Sequence, residues 1–311
     1  MRPAVSIITP TRDRPEAFAR AFRSMRAQVW RDWEWVVVDD ASGSDYAAEA
    51  TAEDPRVTLV RLRQNAGKGG ARNAGLDAAR GEWIGFLDDD DELLPTALAQ
   101  LVSMAAEHAG AGAIYRGGIL VDRGTGTTRV AGGFYRSADP WIAALFDIGN
   151  VFPWIAPAAA VQRIRFKDHG FFQDADYYLR LAAELPIVRT RVSLGVYHLH
   201  GSSSSASAAG ATDPAMVLTT GLDAVDSLFE VADPRIGSYA ERGARDLVRA
   251  ARYVWHASTF GQYPLRGAWC GALQASSSWR AVTWLLRGSY LRLEARVPLL
   301  RRARRRYSKE Q

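Results

Sequence analysis

The stretch EWIGFLDDDDELLP, residues 82 to 95, runs without a break from an apolar segment into four carboxylates, Asp88, Asp89, Asp90 and Asp91, and then towards a helix start at Pro95. Four like charges in succession repel, so they need either open water or a cation. The apolar run before them has the length and continuity of a strand buried on both faces. The same alternation recurs upstream. AVSIITP (4–10), WEWVVVDD (33–40) and RVTLVRL (56–62) read as three more strands. After the first, Asp13 is placed to cap a helix, with Glu16 at its third position and Phe18, Phe22, Met25 and Val29 recurring at fours and threes. GKGGARNAGLDAARG (67–81) reads as a helix closed by Gly81. Strand and helix in succession, with strands too apolar to have a wet face, predict an α/β fold: a mostly parallel sheet with helices on both faces.

In open α/β sheets, ligands bind beyond the carboxyl ends of the strands. The polar clusters fall there. Thr11, Arg12 and Asp13 follow the first strand, Asp39 and Asp40 the second, and Asp88 to Asp91 the fourth. One crevice is expected to collect them.

From about residue 112 the pattern is less regular. GAIYRGGILVD and TTRVAGGFY look like a hairpin, and DPWIAALFDIGNVFPWIAPAAAV (139–161) like a short helix with an apolar loop. FFQDADYYLRLAAEL (171–185) returns to a helix with Ala175, Tyr178, Leu179 and Ala182 on one face, followed by the strand PIVRTRVSLGVYHLH. GSSSSASAAGATDP (201–214) is too poor in large side chains to pack and reads as a mobile loop or hinge. Helical pattern follows to the end. The expected division is an α/β domain over 1–205 and a helical region with a basic tail over 206–311.

The chain has 311 residues, 48% of them hydrophobic, enough for a sizeable core. A single cysteine, Cys270, excludes an internal disulfide framework and makes the cytoplasm the expected compartment. No signal-peptide core precedes Pro10, and no run approaches the roughly 20 apolar residues that span a bilayer. The net charge of +5 is unevenly spread, since residues 280–311 hold ten Arg or Lys against Glu294 and Glu310. The remainder is therefore net negative, which argues against nucleic acid as a partner. In the tail, Trp279, Val282, Leu286, Tyr290, Leu293 and Val297 recur at threes and fours. That stripe suits peripheral contact with an anionic membrane, here the inner face of the plasma membrane, or packing on the α/β domain.

Taken together, VSIITPTRDRP, VVVDDASGSD, NAGKGGARNAGLDAARGEWIGFLDDDDELLP, FQDADYYLRL and YHLHGSS resemble, in that order, the inverting glycosyltransferases of family 2. The likeness covers about residues 4–205. It implies the GT-A fold, a nucleotide-diphosphate sugar as donor, UDP as its nucleotide, a saccharide or lipid-linked acceptor of cell-envelope, polysaccharide, lipid or secondary-metabolite synthesis, and Mg²⁺ or Mn²⁺ as cofactor. By that resemblance Asp90 is the direct metal ligand, with Asp88 and Asp89 acting through water or on the ribose and sugar. His200 completes the metal shell, with His198 as the alternative. Asp40 accepts a hydrogen bond from the uracil ring, unless Asp39 does. The backbone of Pro10 and Thr11 lines the nucleotide, and Arg12 stands where the family usually has an aromatic. Lys68 and Arg72, beside a helix N-terminus, suit phosphate. Asp174 matches the general base, with Asp176 as runner-up, and Gln173 replaces the usual Glu.

Each residue also has a plainer reading. The acidic run can be a solvated helix cap, Asp174 an N-cap and Arg72 a surface charge. Two other functions fit the composition: a sugar-1-phosphate nucleotidylyltransferase, although TPTRDRP lacks the glycine-rich basic loop it would need, and a noncatalytic nucleotide-sugar-binding module.

Overall fold

The structure, a computed structural model, describes residues 2–52, 54–108, 112–122, 128–131, 153–167 and 173–198. The chain divides into two units, Met1–Ser207 and Ala208–Gln311, and all described residues belong to the first. The expectations for His200, for the serine-rich stretch, for Cys270 and for the 280–311 tail lie outside them.

Strands β1 (Val5–Thr11), β2 (Trp33–Asp39), β3 (Val57–Arg61) and β4 (Trp83–Phe86) pair in parallel in the order β3-β2-β1-β4. Every residue of β1 and β2 is buried. Register brings the carboxyl ends to one level: Thr11 lies opposite Asp39, and Asp39 opposite Arg61. Leu87 N donates to Ile8 O at 3.0 Å, so the acidic run leaves the sheet beside the end of β1.

Beyond β4 the sheet becomes mixed. β8 (Trp154–Pro157) joins antiparallel, then β6 (Ile114–Asp122), β9 (Ile187–His198) and the two-residue β5 (Glu92–Leu93), while β7 (Thr128–Ala131) makes the expected hairpin with β6. β8 corrects the reading of WIAP as loop. Prolines at 153 and 157 hide a four-residue strand from any periodicity.

Helices cover both faces. Ile7, Trp35 and Val37 pack with Phe18, Phe22 and Met25 of α1 (Pro15–Arg26) and with Leu98, Leu101 and Ala105 of α4 (Ala97–Glu107). Phe18 stacks on Trp35 at 5.4 Å. On the opposite face, α3 (Gly67–Ala78) lies so near the sheet that a Cβ at Gly75 would sit 2.3 Å from Ile8 Cγ2. The short α2 (Tyr46–Thr51) and α5 (Ala158–Val161) flank the sheet, and α6 (Gln173–Glu184) completes the described helices.

Two caps differ from expectation. Arg14, not Asp13, holds the N-cap position of α1, and Asp13 has φ 52°. Its carboxylate is drawn off by Gly43 N, at 2.8 Å. Helix α3 ends at Ala79 in extended backbone, so Gly81 does not close it. Gly81 is instead pressed against β1, where an added Cβ would lie 2.5 Å from Ser6 N. Among the described residues, no helix is long and apolar enough to cross a membrane.

Candidate active site

Three turns meet at the carboxyl edge. In the first, Thr11 Oγ1 donates to Asp89 Oδ2 at 2.8 Å, and the turn through Asp13 is fastened to the second turn by Asp13 N to Ser42 Oγ, 3.1 Å. After β2 the two adjacent carboxylates part, as neighbours on a strand must. Asp39 is fully buried and accepts from Ser42 N at 2.9 Å and Arg61 Nε at 3.0 Å, so it braces the turn. Asp40 faces the crevice and accepts from Ala66 N at 2.7 Å, just ahead of α3.

A cleft of about 270 Å³ opens here. Pro10, Thr11, Arg12, Asp40, Lys68, Asp88 and Asp89 line it, together with Arg14, Asn65 and Gly67. A smaller pocket of about 50 Å³ adjoins, lined by Arg72, Asp88 and Asp174 with the aromatic side chains Phe86, Trp154, Phe166 and Tyr177. Asp88 belongs to both. Arg72 is buried and donates to Asp88 Oδ1 at 2.5 Å, which rules out the reading of Arg72 as a surface charge. Asp174, exposed in the first turn of α6, is close enough to contribute to the field at Arg72. Asp176 is buried against Arg180 at 2.6 Å, a helix-internal ion pair with no place in the pocket.

The four aspartates have separate fates. Burial pushes Asp88 up, but Arg72, Lys68 and Arg14 pull harder and hold it below the usual carboxylate range. Asp89 is pushed up to about 6, by burial first and by Asp90 next, against the pull of Thr11 and Arg14. Asp90 Oδ2 accepts from Arg14 Nη1 at 2.8 Å. Asp91 is driven well above its ordinary value by burial, then by Asp90 and Asp88. It accepts the backbone N–H of His198 at 3.1 Å, and the His198 ring lies 2.7 Å from Glu92 Oε1.

Carboxylate oxygens of Asp88, Asp90 and Asp91 lie within 4.8 Å of one another. This is an all-oxygen donor set of the hard kind that Mg²⁺ or Mn²⁺ takes, so the residues fit the ion that the resemblance implies. Asp91 and Arg14 were not picked out as functional from sequence. Charge balance could have found Arg14, because four crowded carboxylates need cations from distant segments. Nothing in the spacing singles out Asp91, whose direction depends on the turn.

Residues 6–145 match the model of glycosyl transferase family 2. This segment is a family 2 glycosyltransferase domain. Within it the chain is 43% identical over 104 residues to the succinoglycan biosynthesis protein ExoO of Rhizobium meliloti, covering 33% of this chain and 30% of that one. It is 40% identical over 110 residues to the GalNAc(5)-diNAcBac-PP-undecaprenol beta-1,3-glucosyltransferase of Campylobacter jejuni, 34% and 35% of the two chains. The match to the O-antigen biosynthesis protein RfbC of Myxococcus xanthus, 39% over 105 residues, covers 32% of this chain and 8% of that one. The chain thus spans about a third or less of these curated relatives. Solved structures extend the likeness of fold beyond the family 2 domain. S. aureus TarS 1-349 in complex with UDP-GlcNAc aligns with TM-score 0.65 at 18% identity, covering 88% of this chain and 81% of that one. The mannosyltransferase PcManGT of Pyrobaculum calidifontis, in complex with GDP-Man and Mn²⁺, aligns at 0.58 and 17%, covering 94% and 81%. The α/β architecture expected from the sequence is the GT-A fold of these neighbours.

The raised Asp89 makes a pH prediction. Its pKa is higher folded than unfolded, so the folded protein binds more protons between about pH 4 and 6, and this carboxylate costs stability as pH rises through that window. In chelator, Asp89→Asn should remove up to about 3 kcal/mol of that loss between pH 4 and 7. Urea titrations at several pH values check it; a wild-type slope retained in the variant would reject the assignment.

Proposed function

We propose that this protein is an inverting glycosyltransferase, moving a sugar from a nucleotide-diphosphate sugar, in particular a UDP-sugar, to a saccharide or lipid-linked acceptor of cell-envelope polysaccharide. One observation carries the reading. Asp88 lines both the cleft that also holds Asp40, Lys68 and the start of α3 and the pocket that holds Asp174. Names of relatives add support, O-antigen and succinoglycan biosynthesis among them, as do neighbours solved with UDP, UDP-GlcNAc and GDP-Man.

In this reading Asp40 meets the base, the backbone at Pro10 and Thr11 supports the nucleoside, and Arg12 lies flat against it. Lys68 and the first amides of α3 face the diphosphate. Asp88, Asp90 and Asp91 would hold Mg²⁺ or Mn²⁺, with His200 added by the resemblance, and the ion would neutralise charge on the departing diphosphate. Arg72 keeps Asp88 ionised and in place. Asp174 takes the proton of the acceptor hydroxyl as its oxygen bonds to the anomeric carbon, while the bond to the diphosphate breaks with its electron pair on phosphate oxygen. Attack from the side opposite the leaving group inverts the centre.

Screening nucleotide sugars by mass spectrometry tests the proposal. Release of UDP from one or a few UDP-sugars, dependent on Mg²⁺ or Mn²⁺ and abolished by EDTA, is the expected result. Binding of UDP with no turnover of any donor would leave a binding module. Synthesis of a nucleotide sugar from a sugar 1-phosphate would instead identify a nucleotidylyltransferase.

A further inference from the structure

Arg14 sits at the N-cap of α1, directly after the positive-φ turn at Asp13, and its Nη1 reaches Asp90 Oδ2 at 2.8 Å and Asp89 Oδ1 at 3.3 Å. Asp90 is also one of the three carboxylates whose oxygens converge. A guanidinium bonded to Asp90 Oδ2 and a divalent ion entering at the same carboxylate repel each other. The two cations therefore compete for Asp90.

We propose that Arg14 is a placeholder cation: it compensates Asp89 and Asp90 until a metal bound to a nucleoside diphosphate takes Asp90, and then turns to the diphosphate, whose oxygens lie in the cleft it lines. This rests on the reading of the site given above. The geometry supports each half. The turn is fastened from behind, by Gly43 N to Asp13 Oδ1 and Asp13 N to Ser42 Oγ, which holds the backbone ahead of Arg14, whose side chain is 30% exposed. Arg14 also lines the same cleft as Lys68 and Gly67, so phosphate oxygens there would be within its reach. Asp89, held by Thr11 Oγ1, stays behind as a second anchor for the guanidinium.

The device has a thermodynamic signature. Metal alone must displace Arg14 without offering it a new partner, whereas metal with UDP offers phosphate oxygens, so the two ligands should bind with positive coupling. Arg14→Met keeps the stem and removes the charge. Calorimetry with Mn²⁺ alone should then show affinity higher than wild type by about tenfold, while UDP affinity in the presence of Mn²⁺ falls and the coupling between the two shrinks. Arg14→Lys, which keeps one charge without the fork, should lie between and serves if the methionine variant fails to fold. An Arg14 fixed in place would also give tighter Mn²⁺ binding when removed, but would leave UDP affinity and the coupling between the two ligands unchanged, so an unchanged coupling overturns the placeholder. Unchanged or weaker Mn²⁺ binding in both variants, with wild type binding Mn²⁺ normally, overturns the placeholder alone. If wild type binds no Mn²⁺ with or without UDP, the metal assignment falls and the placeholder with it.

Discussion

Asp174→Asn should lower sugar transfer by about 10²–10⁴-fold while UDP affinity stays within about twofold of wild type. Asparagine keeps the volume and the hydrogen-bonding reach but cannot accept the acceptor's proton at neutral pH. The side chain is exposed in the first turn of α6, so its replacement leaves the core untouched. The buried Arg72, whose field it reaches, already has Asp88 as partner, so that cation is not orphaned. Rate loss with intact UDP binding isolates chemistry from donor binding. An unchanged rate would remove Asp174 as the base, and Asp176, committed to Arg180, could not take over without breaking a buried ion pair.

Asp90→Ala should have a comparable effect through a different route. It deletes one of three convergent ligands, and the loss of metal stabilisation of the leaving diphosphate is worth several kcal/mol, about 10³-fold in rate. Calorimetry should show Mn²⁺ binding lost and UDP binding made insensitive to EDTA. Removing Asp90 also removes a like charge beside Asp89 and Asp91, so thermal stability in chelator should hold or rise. Metal-stimulated transfer persisting in the variant would place the ion elsewhere.

Much of this site was legible in the residues because the first four strands are buried on both sides and so carry unbroken apolar runs. Their ends are then visible as abrupt changes to Thr11, Asp40 and Asp88, and parallel register brings those ends together. What spacing could not supply was direction. Adjacent Asp39 and Asp40 point apart for a reason the alternation of a strand provides, but the choice of which faces the cleft came from Arg61 and Ala66, distant in sequence. In the acidic turn no periodicity applies, so the pairing of Asp88 with Arg72, Asp89 with Thr11 and Asp91 with the His198 amide could not be read in advance. The helix cap at Asp13 was misread because its carboxylate is claimed by a loop thirty residues away. Strand β8 escaped because two prolines enclose it and its partner strands are not its neighbours in sequence.

The acidic turn is tied down at both ends. Leu87 N holds Ile8 O, Leu93 N holds Ser24 Oγ at 3.2 Å, and the buried amide of Gln28 grips Leu94 O at 2.9 Å and Leu98 N at 3.1 Å. A slack loop would let the aspartates splay apart and dissipate their mutual repulsion into solvent. Stiff abutments deny that escape, so the scaffold keeps the carboxylates crowded and converts its own mechanical rigidity into a standing pull on any dication that enters.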